Sequence, residues 1–235
     1  MNFFSQEAER WRNVFLAVLG HDLRGPLNAV LLTAELLARL GSQAEAGDYT
    51  ERLIRSGRRM RDLLDSLLDY SRSALGQGIG IVRNDVDLAA ACRDELAIVG
   101  AALPGQKIEF VVAGDTRGDF DGSRVRESLG NLVFNAARYS NAGSTIVVTL
   151  ARDAEAVSLT VENAGPAIAT DLLPTLFDPL RRGALQPPDA SQTRANLGLG
   201  LFVVQEVARA HGGTVQALSE NGKTTFTMTL PTGSA

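Results

Sequence analysis

The sequence predicts an α+β protein in two parts. An N-terminal helical hairpin pairs with a second copy as a dimeric four-helix bundle, and an α/β sandwich follows, with helices covering a mixed sheet. Three observations carry this. Residues 3–73 contain little but helix formers, with apolar residues recurring at alternating steps of three and four. The stretch "GQGIG" at 76–80 then breaks the pattern. Beyond it, strand-like runs are interleaved with helical ones. The expected domains are residues 1–75, the dimerising hairpin, and residues 81–233, the sandwich.

The first helix carries its seam on Leu16, Leu19, Leu23, Pro26, Val30, Thr33, Leu37 and Leu40. "GSQAEAGD", residues 41–48, reads as a polar loop. A second helix follows, with Leu53, Met60, Leu63, Leu64, Leu67 and Leu68 as its stripe. A two-helix hairpin cannot bury such stripes alone, which predicts pairing between two copies. Past the linker, "IVRNDVD", "KIEFVVAG", "STIVVTLAR", "AVSLTVEN", "GTVQALS" and "KTTFTMTL" read as strands, and 88–102, 122–139 and 197–211 as helices. Residues 181–196, "RRGALQPPDASQTRAN", form a polar, proline-containing loop of the kind that serves as a lid or is disordered.

Of the 235 residues, 45% are hydrophobic and 21% charged, and the formal net charge is −4. That suits ordinary globular cores and gives no electrostatic reason to expect nucleic acid or an anionic membrane as partner. The single cysteine, Cys92, excludes an intramolecular disulfide and a cysteine-cluster metal site, and reads as an inert helix residue. No apolar stretch approaches the roughly 20 residues of a membrane span. The N-terminus lacks the features of a signal peptide. The expectation is a soluble, cytoplasmic chain.

In "LAVLGHDLRGPLNAVLL", residues 16–32, His21 lies two residues from both Leu19 and Leu23. At 100° per residue it points roughly 200° away from each, off the seam and outward. Asp22, directly adjacent, can accept the imidazole proton and raise its nucleophilicity. Gly25–Pro26 weakens the helix one turn later, so that bending there can present or withdraw the histidine. His211 precedes Gly212–Gly213 at the end of a helical run, where a structural cap is the better reading.

Asn131 and Asn135, four apart, share a helix face. Arg138, one turn on, is the only cation late in this helix, and Tyr139 follows it. Val157, Leu159, Val161 and Asn163 alternate onto one strand face, with Glu162 on the other. Gly165 can let backbone approach a ligand. Gly198 and Gly200 open a helix whose N-terminus offers free N–H groups to phosphate. Each feature alone has a plainer reading: polar helix surface, an ordinary turn, a flexible hinge. Phe177 fits either a latch beneath the lid or the core.

Together "HDLRGPLNAV", "NLVFNAARYS", "VENAGPAI", "LFDPLRRG" and "NLGLGLFVVQEVARAHGG" resemble, in order, the successive motifs of a bacterial sensor histidine kinase. The resemblance spans residues 10–230. It implies a phospho-acceptor bundle and a Bergerat-type ATP-binding domain like those of DNA gyrase and mismatch-repair ATPases. It further implies ATP and Mg²⁺ as cofactors, with Asn135 as the metal ligand and Asn131 close to the phosphates. The related ATPases carry a water-activating glutamate where Asn131 stands, and an amide cannot act as that base. Where the family usually has an aspartate that accepts the adenine amino group, this chain has Asn163, and Ala167 replaces the motif's second glycine.

The function so implied is Mg-ATP-dependent autophosphorylation of His21, assisted by Asp22, and transfer to an aspartate of a response-regulator receiver domain. The partners implied are a second copy, the receiver domain and a separate or removed sensor module. Many family members position water with Thr or Asn four residues after the histidine. Gly25 cannot, which predicts weak phosphatase activity. The alternative reading is a dimeric histidine phosphotransfer or scaffold protein with a degenerate nucleotide domain, and it rests on Asn163 and Ala167.

Overall fold

The computed structural model describes residues 27–180, apart from 35 and 38–42, and residues 198–232. His21, Asp22, Gly25 and the 181–196 loop lie outside the described residues. The chain divides into two compact units, one of residues 1–68 with 184–197, the other of Asp69–Gly183 with Gly198–Ala235.

In the first unit, residues 27–34 and 36–37 are helical. Their seam side is the less exposed one: Thr33 is buried and Val30 and Leu37 half-buried, whereas Leu27, Leu31, Leu32 and Leu36 are exposed. Helix α1 (Gln43–Ala74) starts inside the expected 41–48 loop, because Gln, Ala and Glu there are good helix formers. Along it Leu63 is buried, while Ile54, Leu64 and Leu68 are exposed.

The second unit holds α2 (Leu88–Ala102), α3 (Gly122–Tyr139) and α4 (Gly200–Ala210). They cover one face of a five-stranded sheet in the order β2-β4-β5-β7-β6. Its strands are β2 (Lys107–Ala113), β4 (Thr145–Arg152), β5 (Ala156–Ala164), β6 (Thr214–Glu220) and β7 (Lys223–Pro231). Only the β2–β4 pair is parallel, so the sheet is mixed, as the sequence predicts. Strict alternation puts Ile146, Val148 and Leu150 of β4, Val157, Leu159 and Val161 of β5, and Phe226, Met228 and Leu230 of β7 into one core with α3. The run "IVRNDVD" contributes only β1 (Asn84–Asp87), which leaves the main sheet and pairs antiparallel with β3 (Arg117–Phe120). The strand β3 is absent from the sequence reading because "RGDF" has neither alternation nor β-branched residues.

Asp87 caps α2 by accepting from the N–H groups of Ala89 and Ala90, and Asp121 caps α3 through those of Ser123 and Arg124. Cys92, wholly buried under α2, has its thiol pKa pushed up to about 12 by burial and by the carboxylates of Glu95 and Asp87, so it is inert at neutral pH.

Candidate nucleotide site

Helix α3 sets the long axis of the site. Val125, Leu129, Leu132, Val133 and Ala136 are buried, which fixes its rotation and leaves Asn131, Asn135, Arg138 and Tyr139 half-exposed. From Asn131 to Tyr139 is eight residues, about 12 Å of helix.

At the Asn131 end, α4 begins. A Cβ on Gly200 would lie 3.2 Å from Asn131 Oδ1, so glycine is what lets the start of α4 rest against that amide. Gly198 has φ 71°, in the left-handed region, and its carbonyl accepts the Leu180 N–H at 3.1 Å, tying together the two ends of the 181–197 segment. Leu199 at the N-cap of α4 provides no side-chain cap. The first-turn N–H groups therefore have no acceptor of that kind, and the helix dipole adds partial positive charge there.

At the Tyr139 end, the last residues of β5 close against α3. A Cβ on Gly165 would collide with the Tyr139 carbonyl oxygen, and the Asn141 N–H donates to Ala164 O at 2.8 Å. Arg138 stacks its guanidinium 5.6 Å from the Tyr139 ring centroid. Asn163 continues the inward face of Val157, Leu159 and Val161 and is only 2% exposed, while Glu162 points the other way and pairs with Lys223 at 2.7 Å. Among the described residues, the Asn163 and Asn135 side chains have no hydrogen-bond partner.

The sequence reading missed Thr224. It is the register partner of Asn163 across β5–β7 and is buried, and its hydroxyl lies 3.1 Å from that of Ser219, which accepts the Ile168 N–H at 2.9 Å. Asn163, Thr224 and Ser219 thus make a polar row at the end of an apolar sheet face. A signal was available: Thr224 occupies an inward position in the alternation that continues through Phe226, Met228 and Leu230. Phe177 packs edge-on against Phe226, ring centroids 6.2 Å apart, among residues of the core.

A divalent metal fits this site in one way. Among the described residues no cluster of His, Cys, Asp or Glu forms a metal cage. The unpartnered amide oxygen of Asn135 is a single hard donor, which suits Mg²⁺ carried mainly by phosphates and water.

The family of histidine kinase-, DNA gyrase B-, and HSP90-like ATPases matches residues 120–234, and the His Kinase A (phospho-acceptor) domain matches 11–76. A bacteriophytochrome of Pseudomonas aeruginosa is 32% identical over 225 residues, covering 96% of this chain and 30% of that protein. The sensor histidine kinase TrcS of Mycobacterium tuberculosis is 32% identical over 228 residues, covering 92% and 43%. This chain therefore spans less than half the length of either relative. Among solved structures, the Acinetobacter baumannii histidine kinase AdeS shares the fold, with 23% identity, TM-score 0.64 and coverage of 91% and 98%. Full-length ShkA, solved in complex with AMPPNP, has 26% identity, TM-score 0.64 and coverage of 94% and 46%. Among the described residues no helix is long and apolar enough to cross a membrane.

Proposed function

Because the chain belongs to the sensor histidine kinase family, carrying its phospho-acceptor and ATPase segments, we propose that it uses ATP to phosphorylate His21 and passes the phosphoryl group to an aspartate of a response-regulator receiver domain. The observation that carries the reading is the convergence on one face of α3. A glycine-opened helix start meets Asn131 at one end, and Gly165, beside the inward-facing Asn163, meets Tyr139 at the other. About 12 Å of helix separates them, a span suited to a nucleotide laid along α3.

Asn163 reads the base, with Gly165 giving it backbone room and Tyr139 lining the same end. Asn131, the first-turn N–H groups of α4 behind Gly198 and Gly200, and the Arg138 guanidinium hold the phosphates. Phe177 braces the chain just ahead of the 181–197 segment against the core. Asn135 holds Mg²⁺, which when bound neutralises charge on the phosphate oxygens. An imidazole nitrogen of His21 attacks the γ-phosphorus in line. The bond to the β–γ bridging oxygen breaks, ADP leaves, and Asp22 stabilises or takes the imidazole proton. The amide at position 131 cannot act as a base to activate water, so ATP is preserved for the imidazole.

The exposed Leu27, Leu31, Leu32, Leu36, Ile54, Leu64 and Leu68 support a homodimer built through the helical hairpin. The receiver domain, a separate sensor module and a cytoplasmic location complete the reading. Calorimetric titration with Mg²⁺ and a non-hydrolysable ATP analogue tests the site. Saturable binding weakened at least about tenfold by Asn135→Ala is expected. No binding by the folded chain overturns the proposal.

A further inference from the structure

The Asn163 amide closes the inward face of β5 without being sealed from solvent, since among the described residues the fully buried side-chain polar atom with no hydrogen-bond partner is Arg126 Nε. Asn163 is 2% exposed and unpartnered among the described residues, with its Nδ2 3.2 Å from the point where a Gly165 Cβ would stand. The group beside it is Thr224, whose hydroxyl shares a hydrogen bond with Ser219 in which either oxygen can donate. Both groups at this end of the site therefore have reversible polarity. An amide turned by 180° exchanges its donor for its acceptor, and no hydrogen bond among the described residues pins the Asn163 amide in either sense.

A carboxylate in this position would only accept. It would bind the adenine amino group and repel the guanine O6, and that repulsion, rather than attraction, excludes guanine. Asn163 has no such repulsive element. With Oδ1 towards an exocyclic amino group and Nδ2–H towards N1, it pairs with adenine. Turned over, it donates Nδ2–H to O6 and accepts N1–H, pairing with guanine or hypoxanthine. We propose that Asn163 makes this a purine-nucleotide site that admits guanine and hypoxanthine alongside adenine. The inference rests on the nucleotide reading above and deepens it.

The test is calorimetric titration of the full chain with the Mg²⁺ complexes of ADP, GDP and IDP. The wild-type Kd values for GDP and IDP are expected within about tenfold of that for ADP. In Asn163→Asp the gap between ADP and GDP should widen by at least about tenfold, as a site that accepts only should do. A wild-type preference for ADP beyond tenfold, or a gap unchanged by the aspartate, overturns the proposal. The wild-type ratios decide it even where Asn163→Asp does not fold. Failure of a folded chain to bind any of the three overturns the nucleotide reading itself, an outcome distinct from tight, adenine-only binding.

Discussion

Asp69 and Arg124, 55 residues apart, form a two-point ion pair: Nη1 donates to Oδ2 at 2.7 Å and Nη2 to Oδ1 at 3.0 Å. Arg124 also reaches Glu127 at 2.8 Å. Burial works against the Arg124 charge, but its hydrogen bonds to the carboxylates of Asp69 and Glu127 outweigh it and hold the guanidinium pKa above its ordinary value. Asp69 belongs to the end of α1 and Arg124 to the first turn of α3. Ser73 donates to the buried Glu206 of α4 at 2.5 Å, and Tyr70 packs edge-on against Phe202 with centroids 5.7 Å apart. These contacts make Asp69–Ala74 part of the sheet-bearing unit.

Asp69→Ala removes one partner of a largely buried pair and leaves Arg124 with Glu127 alone. It should lower stability by about 3 kcal/mol, and Arg124→Lys, which keeps the charge but loses the fork, by about 1 kcal/mol. Urea midpoints at constant m-value measure both. No loss from Arg124→Lys would show that charge alone, not two-point geometry, sets the contact.

His211 makes stability depend on pH. Its ring is buried, Nδ1 donates to Val207 O at 2.8 Å, and Nε2 accepts the Asp121 N–H at 3.0 Å, which fixes the neutral tautomer. Burial lowers its pKa, and among the charged groups that act on it Arg83 lowers it while Asp121 and Asp119 oppose. The unfolded chain takes up the proton near pH 6.5 and the folded one only at lower pH. Stability is therefore full above about pH 6.5 and falls below it, by at most about 1.4 kcal/mol per pH unit from this group. Unfolding midpoints at pH 7.5 and 5.5 should differ more in the wild type than in His211→Gln.

Gly165→Ala drives a Cβ into the Tyr139 carbonyl, which neither backbone can yield easily, and should both destabilise the unit by more than about 2 kcal/mol and abolish nucleotide binding. Gly200→Ala meets only an amide at 3.2 Å. It should leave the melting temperature within a few degrees while weakening nucleotide binding roughly tenfold. Thermal melts with and without nucleotide separate the two effects.

Gly25 has no side chain to position water beside the phosphorylated partner. The chain should therefore leave the lifetime of a phosphorylated cognate regulator within about twofold of its value alone, whereas Gly25→Thr shortens it. A several-fold shortening by the wild type contradicts this.

Much of the site was legible because its signals are local. The four-residue spacing of Asn131 and Asn135, the strand alternation that turns Asn163 inward, and the glycines before α4 all follow from helix and strand periods. The structural role of His211 was legible too, from its place before two glycines. What was hidden depends on partners distant in sequence. Nothing near Asp69 announces Arg124, and Thr224 becomes significant only when β7 is set in register with β5. The strand β3 was hidden because it is defined by pairing with β1, not by its own composition.

The most direct test of the central claim is incubation of the chain with Mg²⁺ and γ-labelled ATP, wild type against His21→Ala, scoring acid-labile, base-stable label on the protein. Label on the wild type that vanishes in the variant is the predicted result. A folded wild type that takes up no label, or a His21→Ala variant labelled equally, contradicts the account.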